Sequence, residues 1–152
     1  MASCSAWEIL CRCLYISENN HNASALHGII ALRQGERETA QEAFTKSIAQ
    51  ADEILAKTPD YYSALDAKGL AMCGLILVKD LTGFTESLTG GESRGENLSG
   101  LVEQAIETFQ KARKIAPHAG VVKSVLRLFD ELVKCDGGEI LKDVRKAVEG
   151  VE

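Results

Sequence analysis

Proline is scarce in this chain, with 2 residues among 152, and aromatic residues make up only 5%. These shortages exclude a proline-rich ligand module and a stacking platform for single-stranded nucleic acid. Positive charge is short as well: 17 basic residues face 22 acidic ones, for a net charge of −5. Phosphate-backbone recognition needs a basic face, so the composition argues against nucleic acid as a partner. Long apolar runs are missing too. The most apolar stretch, Leu70 to Val78, falls far short of the ~20 residues a membrane span needs, so no membrane association is expected. Around Ile9 to Ile16 the apolar character is broken by Glu8 and Arg12, and no basic stretch precedes it, so no secretory signal is read there.

Catalytic and metal-binding signatures are equally thin. Of the five cysteines (Cys4, Cys11, Cys13, Cys73 and Cys135), no two form a Cys-x-x-Cys pair. Their odd number points to a reducing cytoplasm rather than to a disulfide scaffold. Cys11, Cys13, His21 and His27 are neighbours in sequence. On a helix, however, residues two apart point about 200° away from each other, so Cys11 and Cys13 cannot share one ion. Cys73 lies within the most apolar segment, where a thiol is inert. No Gly-x-Ser-x-Gly elbow occurs, and Gly90-Gly91-Glu92-Ser93-Arg94-Gly95 lacks the Lys and Ser/Thr of a phosphate loop. No catalytic residue, metal site or cofactor is expected. A thiol-redox or metal-binding protein is the least favoured reading.

What the sequence does have is helical periodicity. Hydrophobic residues make up 45% of the chain. Ala40, Ala43, Phe44, Ser47, Ile48, Ala51, Ile54 and Leu55 step by threes and fours, as do Leu101, Val102, Ala105, Ile106, Phe109, Ala112 and Ile115. Val121, Val125, Leu128, Phe129 and Leu132 form a third stripe, and Ile140, Leu141, Val144, Ala147 and Val148 a short fourth. Gly35, Thr58-Pro59-Asp60, Pro117 and Asp136-Gly137-Gly138 punctuate them. The pattern predicts about seven helices, over 4–17, 22–34, 37–57, 60–81, 98–116, 119–135 and 139–149. A glycine-rich loop is expected over 82–100. The segment 60–81 is apolar on nearly every side and is expected to be the central helix.

One spacing occurs twice. Ala40, Phe44 and Ser47 follow Gly28; Ala105, Phe109 and Ala112 follow Gly69, with Pro117 beyond. Small residues admit a close helix approach and the Phe between them fills the groove. This pattern resembles the tetratricopeptide repeat family, best along Val102 to Pro117. Departures are plain: Gly69 follows Gly28 by 41 positions rather than the family's roughly 34. Ser24 and Leu65 stand where the family has its Trp, and Ala31 and Met72 where it has its Tyr.

The resemblance implies an all-α fold of antiparallel helix hairpins stacked as a short right-handed solenoid. It implies one domain over 1–152: a capping or partial-repeat helix (1–20), a repeat (21–60), a repeat interrupted by loop 82–100 (61–118) and a terminal helix pair (119–150). The first helix reads either as a cap or as the remnant of a longer array. The first helix of each pair would line a concave, mostly apolar groove through Asn22, Ala25, Leu26, Ile29 and Arg33, then Ser63, Asp66, Ala67, Leu70 and Cys73, then Val121, Ser124, Val125, Leu128 and Glu131. The basic and amide groups with which some family members clamp a peptide carboxylate are absent, since Ala25, Ile29, Asp66 and Leu70 hold those places. The expectation is a non-catalytic interaction or scaffold module, a regulatory segment of a larger protein, whose groove takes an amphipathic protein segment or peptide. The alternative is a self-associating structural domain, a homo-oligomer whose groove is filled by its own helices or by a second copy.

Overall fold

The computed structural model describes residues 21–86, 94–135 and 140–150. Among the described residues the fold is all-α, with six helices and no strand: α1 (His21–Arg33), α2 (Arg37–Lys57), α3 (Tyr62–Glu86), α4 (Arg94–Ile115), α5 (Ala119–Val133) and α6 (Lys142–Glu149). The helix expected over 4–17 lies outside the described residues. No helix among them is long and apolar enough to cross a membrane.

The turns follow from local chemistry. Gly35 has φ +81°, a left-handed backbone that costs glycine nothing. There the N–H groups of Gly35 and Glu36 donate back to the carbonyls of Leu32 and Ala31, closing α1. The α2 helix stops at Thr58, whose N–H donates to the Ile54 carbonyl, because Pro59 cannot follow a helical residue comfortably.

One expectation needs correcting. The loop foreseen over 82–100 is largely helical: α3 runs through Gly83 to Glu86, and α4 begins at Arg94. A single glycine costs a helix only about 1 kcal/mol, too little by itself to end one.

From α1 to α4 the tertiary packing follows chain order. The helices α1 and α2, α2 and α3, and α3 and α4 pack along one another, joined by short connections. The α3 helix touches α1, α2, α4 and α5, and its apolar circumference is buried accordingly: Ala64, Leu70, Ala71, Cys73, Ile76 and Leu77 are all at most 3% exposed. The short α6 lies against α4 and α5, burying Val144, Ala147 and Val148.

The two spaced phenylalanines occupy matching seats. Phe44 is fully buried, with its ring against Gly28 of α1 and Gly74 of α3. Phe109 is fully buried against Gly69 of α3, with Phe129 of α5 edge-on to it at 6.4 Å. A Cβ added at Gly28 would stand 2.5 Å from the Phe44 ring, and one at Gly69 would stand 2.6 Å from that of Phe109. Glycine is therefore required at both places by close approach rather than by backbone conformation.

Candidate functional site

A cavity of about 380 Å³ opens between the N-terminal portions of α3 and α5, with Asn22 of α1 at its edge. Tyr62, Ser63, Asp66, Ala67 and Leu70 form one wall, at the spacing of a single helix face. Gly120, Val121, Ser124, Val125 and Leu128 form the other, again one face. The lining is mostly apolar, with the buried Asp66 carboxylate in one wall and amide, hydroxyl and phenol groups from Asn22, Ser63, Ser124 and Tyr62. Val121 and Leu128 remain half-open, whereas Ala67, Leu70 and Val125 are buried. Tyr62, which lines the cavity, and its neighbour Tyr61 are the two exposed large hydrophobic side chains among the described residues.

Most of the expected groove residues meet here: Asn22, Ser63, Asp66, Ala67, Leu70, Val121, Ser124, Val125 and Leu128 line one cavity. The others stand elsewhere, Cys73 fully buried in the core and Glu131 at the far end of α5. Ala25 and Ile29 are 1% and 2% exposed in the core, Leu26 is half-buried outside the cavity, and Arg33 is drawn away to Glu131. Arg33 Nη1 donates to Glu131 Oε2 at 2.5 Å, tying the last turns of α1 and α5 together. The pair is largely solvated and fixes geometry more than it adds stability. The lining implied by the resemblance did not include Tyr62 and Gly120. Adjacent tyrosines at a helix start, in a chain so poor in aromatics, were the available signal for Tyr62.

A hydrogen-bonded cluster sets the mouth. Asn22 Nδ2 donates to Ser63 Oγ at 3.1 Å, and His21 Nε2 lies 3.3 Å from the same oxygen. Ser47 Oγ donates to the His21 carbonyl at 2.9 Å, and the Tyr61 ring stands edge-on to the imidazole at 6.1 Å. The start of α1 is thereby pinned to both α2 and α3. Burial holds the His21 pKa below its ordinary value, so folding favours the neutral ring. For a base whose folded pKa is depressed, the stabilisation is present above the unfolded value and is lost as pH falls through the folded one. Acidification from pH 7 toward 5 should therefore cost the wild type more stability than it costs His21→Gln, by less than the ~1.4 kcal/mol per pH unit that one proton can supply. Urea midpoints at several pH values measure this, and parallel curves for the two proteins would refute it.

Beneath the cavity lies a buried ion pair. Arg113 of α4 donates through Nη2 to Asp66 Oδ1 at 2.5 Å and Oδ2 at 2.6 Å, and both side chains are at most 7% exposed. Burial pushes the Asp66 carboxyl up, against the opposing pull of the guanidinium. The Arg113 Nε and Nη1 groups are buried without a protein partner. The pair braces α3 on α4 and places a carboxylate in the cavity wall, where most of its charge is already spoken for.

Neither a metal site nor an activated thiol emerges among the described residues. No three His, Cys, Asp or Glu side chains there gather closely enough to hold an ion. Cys73 is fully buried, which raises its thiol pKa far above the ordinary range, and half-buried Cys135 is raised for the same reason. Cys11 and Cys13 lie outside the described residues. No protein-family model, no curated protein and no solved structure matches this chain.

Proposed function

We propose that this protein is a non-catalytic interaction module, a short right-handed stack of helix hairpins of the tetratricopeptide kind, whose groove between α3 and α5 receives an amphipathic protein segment. Two features support the repeat reading: the matched seats of Phe44 on Gly28 and Phe109 on Gly69, and the pairing of consecutive helices from α1 to α4. The observation that carries the binding reading is the cavity itself. Two parallel helix faces spaced in this way leave an apolar trough with a polar rim, and helix-in-groove recognition needs that chemistry. Exposed tyrosines beside a trough are also the residue type over-represented among interface anchors. The odd set of cysteines and the buried Cys73 thiol are in keeping with a reducing, cytoplasmic setting.

Peptides selected from a random displayed library against the full chain should converge on apolar residues at i, i+3, i+4 and i+7. Their affinity should fall at least about tenfold, or ~1.4 kcal/mol, in Leu128→Glu, which puts a charge on the half-open wall. The control Ala49→Glu lies on the exposed face of α2 and should bind normally. Titration by fluorescence anisotropy reads this, and equal affinity for the two variants would end the groove assignment.

A further inference from the structure

We propose that the segment this trough receives is acidic: an amphipathic helix of another protein, whose apolar ridge lies on Val121 and Leu128 and whose flanking Asp or Glu side chains meet Lys123 and Arg127 on the outer edge of α5. The inference rests on the groove reading above and adds the charge of the partner.

Helical register places the two cations. Lys123 and Arg127 are four positions apart and share one strip of α5. Arg127 follows Ser124 by three positions, and Ser124 lines the cavity, so this strip borders the wall. Both cations are exposed, and neither enters an ion pair among the described residues. The acids that could cancel them are already committed. Asp130 accepts from Arg145 Nη1 at 2.7 Å, Glu131 is held by Lys134 at 3.0 Å as well as by Arg33, and Asp66 lies buried on Arg113. Asp60 stands exposed in the turn ahead of α3, so the side of the trough that favours a partner's acids is the α5 side.

The partner's geometry follows. A second helix rises by the same ~1.5 Å per residue, so acids four apart on it match the spacing of Lys123 and Arg127. At the far end Arg33 can change hands, because a partner carboxylate that takes it leaves Glu131 on Lys134 and strands no charge. The chain's net charge of −5 does not oppose such a contact. Charges farther off than the Debye length of about 8 Å at physiological salt are screened, whereas the α5 edge acts at contact.

The test uses the full chain and the displayed library. Selected peptides should carry more Asp and Glu than Lys and Arg beside the apolar ridge. Lys123→Glu combined with Arg127→Glu should weaken the best of them at least about tenfold, mostly through slower association. Lys46→Glu combined with Lys57→Glu makes the same charge change at exposed positions of α2 and should cost less than about twofold. Added salt should weaken binding to the wild type and barely alter binding to the Lys123, Arg127 variant. A peptide whose acids are exchanged for Lys should invert the order and bind that variant better than the wild type, an outcome that a misfolded protein cannot give. Selected peptides with neutral or basic flanks overturn the proposal. So does an equal loss in the two charge-reversed proteins, which would make the attraction general rather than local. If Leu128→Glu costs affinity while Lys123→Glu with Arg127→Glu does not, the acidic partner fails and the groove stands. If the library yields no binder, or if Leu128→Glu binds like the wild type, the groove reading itself fails and takes this inference with it.

Discussion

Gly74→Ala is expected to destabilise the protein by about 1–3 kcal/mol, although alanine is the better helix former. Propensity alone would give the opposite sign, a gain near 1 kcal/mol in mid-helix. Packing decides the matter. The Phe44 ring lies so close to Gly74 that a new methyl would overlap it, and on its other side the same ring rests on Gly28, where an added Cβ would stand 2.5 Å away. Held between two helices and fully buried, the ring has no open rotamer to retreat to. The effect should reverse once the ring is gone. In a Phe44→Leu background, itself weakened by the loss of buried ring, Gly74→Ala should be neutral or stabilising. The double-mutant cycle should give a coupling of about 1–3 kcal/mol. Thermal or urea unfolding of the four proteins measures it. A raised melting temperature for Gly74→Ala alone would show that Phe44 does not sit between α1 and α3.

The contrast between Gly28 and Gly74 shows how far the sequence could be read. Gly28 was legible because the Ala40, Phe44, Ser47 step that follows it recurs as Ala105, Phe109, Ala112 after Gly69, and a repeated motif points to a hairpin contact. Gly74 was not, because it meets Phe44 from the following helix and no spacing recurs to announce it. The same reasoning explains the groove. The resemblance named Ser63, Asp66, Ala67 and Leu70 of α3 and Val121, Val125 and Leu128 of α5, and these line one cavity. It carried the analogy too far on α1, where Ala25 and Ile29 are closed in the core as α3 and α5 crowd against that helix. Helix ends were the weakest part. Glycine and polar residues over 82–100 read as a loop, while the backbone carries α3 to Glu86 and resumes at Arg94. The glycines were weighed too heavily, since each costs a helix only about 1 kcal/mol.

The Asp66–Arg113 pair was invisible for a different reason. An acid in the second turn of one helix and a base in the last turn of another stand 47 positions apart, and no spacing announces that they meet. Burial converts them into a dependency, and Asp66→Ala is expected to cost about 3–5 kcal/mol, because it leaves a guanidinium uncompensated in the core. With Arg113 Nε and Nη1 already lacking partners, no protein acceptor would remain for any of its donors. For a domain of this size that loss lowers the melting temperature by roughly 10 °C or more. The opposite truncation should behave differently. In Arg113→Met the stranded carboxyl can escape its burial by taking a proton, since burial already pushes its pKa up and the opposing guanidinium is gone. A folded pKa raised above the unfolded one gives stability that is present at low pH and lost as pH rises through the folded value. Arg113→Met should therefore recover stability on acidification from pH 7 toward 5, whereas Asp66→Ala, with a cation that cannot discharge, should not. Asp66→Leu combined with Arg113→Met replaces the pair by apolar groups and should restore most of the loss, because swapping out a whole buried pair is often neutral or favourable. Urea unfolding at pH 5 and pH 7 separates these cases. A cost below about 1 kcal/mol for Asp66→Ala would mean that water reaches Arg113, as it does in an exposed pair.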